Sequence, residues 1–115
     1  VTDNINLSNG SIYPFYKIEE LLDNIDSVMS CTVVRIEDNI VVIHIEPQPV
    51  ETVDCKLLLH RIENEIKRNC PKEIVRNLYI RIRNNQESFP IAPSGKRDKK
   101  ALIDEGIEWA LKICV

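Results

Sequence analysis

Glycine is scarce in this chain of 115 residues, occurring only as Gly10, Gly95 and Gly106. Loops that cradle phosphates with backbone N–H groups need closely spaced glycines, and neither a G-x-G-x-x-G fingerprint nor a G-x-S-x-G elbow occurs. Gly95-Lys96 is not a P-loop, because Pro90 and Arg97 stand where that loop requires Gly and Ser or Thr. Positive charge is not in excess: 15 Lys and Arg against 18 Asp and Glu leave a net charge of -3, which argues against sequence-independent nucleic-acid binding. No apolar run approaches the length of a membrane span, and no signal-peptide pattern is present. The cysteines, Cys31, Cys55, Cys70 and Cys114, form no C-x-x-C pair, and His44 and His60 stand at no zinc-ligand spacing from them. The pattern predicts free thiols in a reducing, cytoplasmic setting, with Cys31 and Cys55 in the core and no metal site.

What is present is an ordinary globular balance of 43% hydrophobic and 29% charged residues, in a length suited to one domain. Residues 1–13 alternate apolar and polar positions around Asn9-Gly10, a step that tolerates positive φ and predicts a small β-hairpin. Pro14 opens a helix to about Ile25, with Ile18, Leu21, Leu22 and Ile25 on one face. Two β-branched runs, Val28–Ile36 and Ile40–Ile45, flank a turn-forming Glu37-Asp38-Asn39 and predict an antiparallel pair. His44 lies in the second run, where a histidine is expected to face solvent or be satisfied by a neighbour rather than to catalyse.

Cys55, Leu58, Leu59, Ile62 and Ile66 define the stripe of a second helix, from about Val53 to Asn69, which Pro71 breaks. Leu78–Arg83 alternates as a strand with one apolar face, and a last helix is predicted from about Lys99 to Ile113, with Trp109 packing it onto the sheet. The fold class is therefore α+β: a small three-stranded sheet, a preceding β-hairpin, and helices packed on one side.

The stretch Phe89-Pro90-Ile91-Ala92-Pro93-Ser94-Gly95-Lys96-Arg97-Asp98-Lys99-Lys100-Ala101-Leu102 combines a proline- and glycine-stiffened loop with a lysine just ahead of a helix. A lysine ammonium is a compact charge on a long stem, suited to reach a carboxylate or phosphate and to stabilise charge that develops on a phosphoryl group. The bland alternative for the basic cluster Lys96, Arg97, Lys99 and Lys100 is a solvated helix start.

The run FPIAPSGKRDKKAL closely resembles the terminal lysine motif of the adenylate-forming enzymes, whose usual form is L-P-x-T-x-S-G-K-[IV]-D-R-[RK]-x-L. The segment TDNINLSNGSIYPFYKIEELL resembles the hinge region of the same enzymes, with Asp3 and Gly10 on its aspartate and glycine. The order of elements between the two also follows the small C-terminal domain of that group, which includes acyl-CoA synthetases, peptide-synthetase adenylation domains and luciferases. Departures are Val1 and Asn4 around the hinge, Pro14 one position early, Lys17 for a common Glu, Ile12 at a position often basic, and Arg97 for an aliphatic residue.

The resemblance implies one lid domain over residues 1–115: hinge and hairpin 1–13, an α-β-β-α-β core over 14–83, a lysine loop 84–98 and a C-terminal helix 99–115. Lys96 would be the catalytic lysine that contacts carboxylate and phosphate, with Ser94 and Gly95 positioning its loop. Asp3 would be the pivot, and Gly10 would belong to the loop lining the thiol channel. ATP with magnesium, and CoA or phosphopantetheine as thiol acceptor, are implied for the whole enzyme; the magnesium follows from ATP use and from no ligand set here. The partner surface would be a large N-terminal adenylation domain, and selectivity for the small carboxylic acid would reside there. A chain that begins at Val1 rather than methionine suggests a fragment, from which no turnover is expected alone. The alternative reading is a stand-alone, non-catalytic domain serving as an interaction or regulatory module.

Overall fold

Strand β4 (Ile40–Pro47) decides the architecture, because five successive residues, Val41 to Ile45, are buried and both of its faces must therefore be covered. The computed structural model describes residues 4–7, 10, 12–37, 40–48, 55–83, 99–107 and 110–113. Its main sheet has the spatial order β3 (Val28–Glu37), β4, β5 (Leu78–Ile82), β6 (Leu111–Lys112). β3 and β4 pair antiparallel with Thr32 opposite His44 and Val33 opposite Ile43. β4 and β5 pair parallel with Ile43 opposite Ile80 and His44 opposite Arg81, and β6 returns antiparallel along β5. A parallel neighbour demands a crossover, supplied by α2 (Cys55–Asn69) and the short α3 (Lys72–Val75).

Because side chains alternate along a strand, this register sorts residues between two faces. Val33, Val41, Ile43, Ile45, Leu78 and Ile80 join the principal core under α1 (Phe15–Asp23), α2 and α3, which contribute Ile18, Leu22, Leu58, Ile62, Ile66 and Ile74. The opposite face presents Val34 and Val42 to Leu102 of α4 (Lys99–Glu105), with Ile36, Tyr79 and Ala110 at the margin of this smaller cluster. Helices thus cover both faces, not one as the amphipathic stripes suggested. The second layer goes unseen in the sequence because α4 is short and contributes one fully buried apolar residue, Leu102, among the described residues.

A separate hairpin, β1 (Asn4–Asn6) with β2 (Ile12–Pro14), precedes α1, as the Asn-Gly step predicts. It is docked rather than free: Ile5 is buried in the principal core, and the Arg35 guanidinium donates to the Asn4 carbonyl. Pro14 occupies the N-cap of α1 with extended backbone angles, consistent with a proline-opened helix.

Two further features depart from the sequence pattern. Pro71 ends α2 and also starts α3, its carbonyl accepting from the N–H groups of Ile74 and Val75 at 3.0 and 3.1 Å. The last predicted helix stops at Glu105, because Gly106 takes φ +65°, the left-handed conformation that terminates helices. The chain then turns, with Ala110 N–H donating to the Ile107 carbonyl, and forms β6 as a fourth strand. Ile113 consequently lies in the principal core on the other side of the sheet from Leu102, a position that a continuous helix could not reach. Trp109, expected to pin that helix, lies outside the described residues, as does Cys114.

Ile43 is fully buried between these elements, so Ile43→Ala should cost about 3 kcal/mol through lost transfer energy and a residual cavity, read as a lower urea midpoint at unchanged slope.

Candidate functional site

Of the residues assigned from sequence, Gly10 alone is described; Asp3, Ser94, Gly95 and Lys96 lie outside the described residues, so their mutual geometry does too. What is described is the frame from which the lysine segment springs. Strand β5 and Arg83 lead into residues 84–98, and α4 receives the chain at Lys99, three positions after Lys96.

This frame is closed by charge. The alternation Leu78-Tyr79-Ile80-Arg81-Ile82-Arg83 puts both arginines on the face of the sheet that α4 covers. Glu105, on the last turn of α4, receives both: Arg81 Nη1 stands 3.1 Å from Oε1, and Arg83 Nη2 donates to Oε2 at 2.5 Å. Arg81 and Arg83 are only 7% and 5% exposed, so these pairs escape most of the solvent screening that makes surface ion pairs weak. Removing the shared carboxylate would leave two buried guanidiniums side by side, a loss on the order of 3 kcal/mol.

His44 faces the same layer, opposite Arg81 across the β4–β5 ladder, and is fully buried rather than turned to solvent. Burial and then the positive charges of Arg83 and Arg81 pull its pKa down from 6.5 to about 4, so the imidazole is neutral at neutral pH. A neutral ring fits this position because a third cation beside two buried guanidiniums would be repelled. Thr32, also buried, stands opposite His44 on β3 and completes a polar band across an otherwise aliphatic sheet.

Sequence reasoning missed this cluster. The two arginines at i and i+2 in a strand were a visible signal of a shared face, but their carboxylate partner lies 22 residues downstream of Arg83 and could be assigned only by the fold.

At the other candidate position, Gly10 has φ +86° and no atom near where a Cβ would project, so its demand is conformational rather than steric. Its N–H donates to the Leu7 carbonyl at 3.1 Å, closing the turn of the hairpin. The hairpin base is buried chemistry of a passive kind. Tyr13 Oη lies 3.5 Å from Cys70 Sγ, and burial, followed by that contact, raises the phenol pKa to about 12. Burial likewise raises the thiols of Cys31 and Cys70, with Asp23 and Glu19 adding to the effect at Cys31, so both stay protonated and unreactive. Among the described residues, no group of three or more His, Cys, Asp or Glu side chains is placed to hold a metal ion, and no helix is long and apolar enough to cross a membrane.

The arrangement of hairpin, sheet and helices is an α+β fold shared with synthetases of known structure. Among solved structures it matches the amide bond synthetase McbA from Marinactinospora thermotolerans at 17% identity and a TM-score of 0.64, over 90% of this chain and 20% of that one. It matches the unliganded O-succinylbenzoate coenzyme A synthetase MenE from Bacillus subtilis at 17% identity and a TM-score of 0.54, over 85% of this chain and 19% of that one. A lysine-to-alanine mutant of McbA matches at 12% identity and a TM-score of 0.58, over 89% and 23%. The chain thus spans about a fifth of the length of the synthetases it matches, and identities this low establish the shared fold. No protein-family model and no curated protein matches the sequence.

The depressed His44 pKa carries a stability signature. Between pH 6.5 and about 4 the unfolded chain takes up a proton that folded His44 refuses, so stability falls as pH falls through this window and the contribution is complete below about 4. Its size is on the order of 3 kcal/mol. The urea midpoint of the parent minus that of His44→Phe should fall steadily as pH is lowered across that window, and a constant difference would contradict the assignment.

Proposed function

We propose that this chain is the C-terminal domain of an ATP-dependent ligase that adenylates a carboxylic acid and then transfers the acyl group to a thiol, of CoA or of a carrier protein's phosphopantetheine. The observation that carries the reading is a coincidence of two independent likenesses. The described residues fold as the small domain of such synthetases, and the lysine motif of the same enzymes falls, by its position in the chain, in the segment between β5 and α4.

In the first half-reaction an oxygen of the acid's carboxylate bonds to the α-phosphorus of ATP, the bond from that phosphorus to the bridging oxygen breaks, and its electron pair leaves with pyrophosphate. Lys96 supplies a cation that neutralises carboxylate and phosphate oxygens as they approach, and stabilises charge on the phosphoryl group in the transition state. Ser94 and Gly95 shape the loop that presents it. In the second half-reaction the thiol sulfur attacks the acyl carbon and AMP departs. There Asp3 serves as the pivot, and the Gly10 turn lines the approach of the thiol. ATP and magnesium are handled mainly by the large N-terminal domain, whose apposition to this lid excludes water from the hydrolysable acyl-adenylate.

The fold is common to a synthetase named for amide bonds and one named for coenzyme A. The fold by itself therefore does not select the acceptor, and the thiol assignment rests on the resemblance of the hinge-side segment around Gly10.

Lys96→Ala in the full-length enzyme should reduce acid-dependent exchange of labelled pyrophosphate into ATP by roughly 100-fold or more, assayed with acetate, octanoate, benzoate and glycine. Exchange at the parental rate would overturn the assignment, as would acid activation by residues 1–115 alone.

A further inference from the structure

We propose that the solvent face of α2 is a docking surface for an acidic segment of another protein, one that carries an apolar or aromatic residue among its carboxylates. This surface shares no residue with the ligase site proposed above. Helix α2 turns Leu58, Ile62 and Ile66 into the principal core, and the 3.6-residue period then holds the opposite side toward solvent. That side carries Lys56, His60 and Lys67 in one row and Leu57, Arg61 and Arg68 in the next, every one of them exposed. Exposed Asn64 lies between the rows, and no carboxylate does. Glu63 and Glu65 stand at the two margins, half-buried. Glu65 lies 3.5 Å from Arg68, whose side chain is 73% exposed, so this is a weak, solvent-screened pair that a better-placed carboxylate can replace. The chain as a whole has a net charge of -3, and this side of α2 is a local reversal of sign.

Charge alone describes any solvated helix, and Leu57 separates this one from it. Leu57 is 69% exposed, more than any other large hydrophobic among the described residues. His60 and Arg61 follow it at three and four positions and so lie beside it on the helix surface. An apolar side chain ringed by cations suits a protein contact, in which a small anchor is desolvated inside a charged rim.

Two other anionic partners fit less well. Helix α1 packs beside α2 on the same side of the sheet and exposes Glu20 and Asp23, with Asp26 exposed just beyond its end. A lipid surface or a nucleic-acid duplex presents negative charge over a wide area and would meet this acidic border together with the basic rows. Insertion of α2 into a bilayer is also closed off, because its apolar side is already in the core. A protein segment is narrow enough to follow the basic rows alone, and the acidic border repels one that strays from them.

The test measures binding of two labelled random copolymers of matched length, poly(Glu,Tyr) and poly(Glu), to the full-length protein at low ionic strength by fluorescence anisotropy. Poly(Glu,Tyr) should bind at least about fivefold more tightly than poly(Glu), and added salt should weaken both. Leu57→Ser should abolish the preference while leaving poly(Glu) binding in place. Arg61→Gln combined with Lys67→Gln should weaken both by about tenfold or more. Lys112→Gln removes a charge opposite Tyr79, on the face of the sheet that α4 covers, and should change neither. All these positions are exposed, so the variants should keep the parental urea midpoint. Any of four results would overturn the proposal: no binding of poly(Glu,Tyr), equal affinity for the two polymers, binding that survives Arg61→Gln with Lys67→Gln, or tighter binding of phosphatidylserine vesicles or duplex DNA than of poly(Glu,Tyr).

Discussion

The burial of strand β4 on both faces is the constraint from which the remaining structure follows. Val41 through Ile45 are enclosed without interruption, so helices packed against one side are insufficient and a second layer must close the other. That layer is α4, which is short and sparingly apolar. A thin layer of this kind cannot hold by hydrophobic contact alone, and the fold compensates with charge. Arg81 and Arg83 rise from β5 into the interface, and Glu105 descends from α4 to meet both. His44, forced into the same layer by the alternation of β4, is compatible only as a neutral ring.

This economy places an electrostatic clamp at the stem of the segment that carries the lysine motif. The β1–β2 hairpin is attached to the same core by different means: burial of Ile5, the Arg35 guanidinium on the Asn4 carbonyl, and Tyr13 against Cys70. The hairpin and the strand that leads into the lysine segment therefore pack on one sheet.

Most of the elements were legible from local pattern. The Asn9-Gly10 step, Pro14 at the start of α1, the β-branched runs of β3 and β4 and the stripe of α2 each reflect a backbone preference or a period expressed within a few residues. The end of the chain was not legible in this way. Leu102, Gly106, Ala110 and Ile113 mimic a helical period, yet Leu102 and Ile113 lie in different clusters on opposite faces of the sheet. Gly106 carried the contrary signal, since a glycine near the end of a short helix is a natural stop. Apolar spacing outweighed it because spacing says that residues are buried and not on which side. The lysine motif and the hinge residue were legible only as resemblance, and Asp3, Ser94, Gly95 and Lys96 lie outside the described residues.

By itself the sequence determined the hairpin, strands β3 to β5, helices α1 and α2, the start of α4, the turn at Gly10 and the placement of Lys96 between a strand and a helix, because these depend on residues near one another in the chain. Only the tertiary structure decided that the sheet has four strands, that helices cover both of its faces, and that His44, Arg81, Arg83 and Glu105 share one buried layer. The physical reason is range: a charge pair between residues 22 apart leaves no local trace in propensity or periodicity, and forms only once the register of β4 on β5 has brought both guanidiniums under α4.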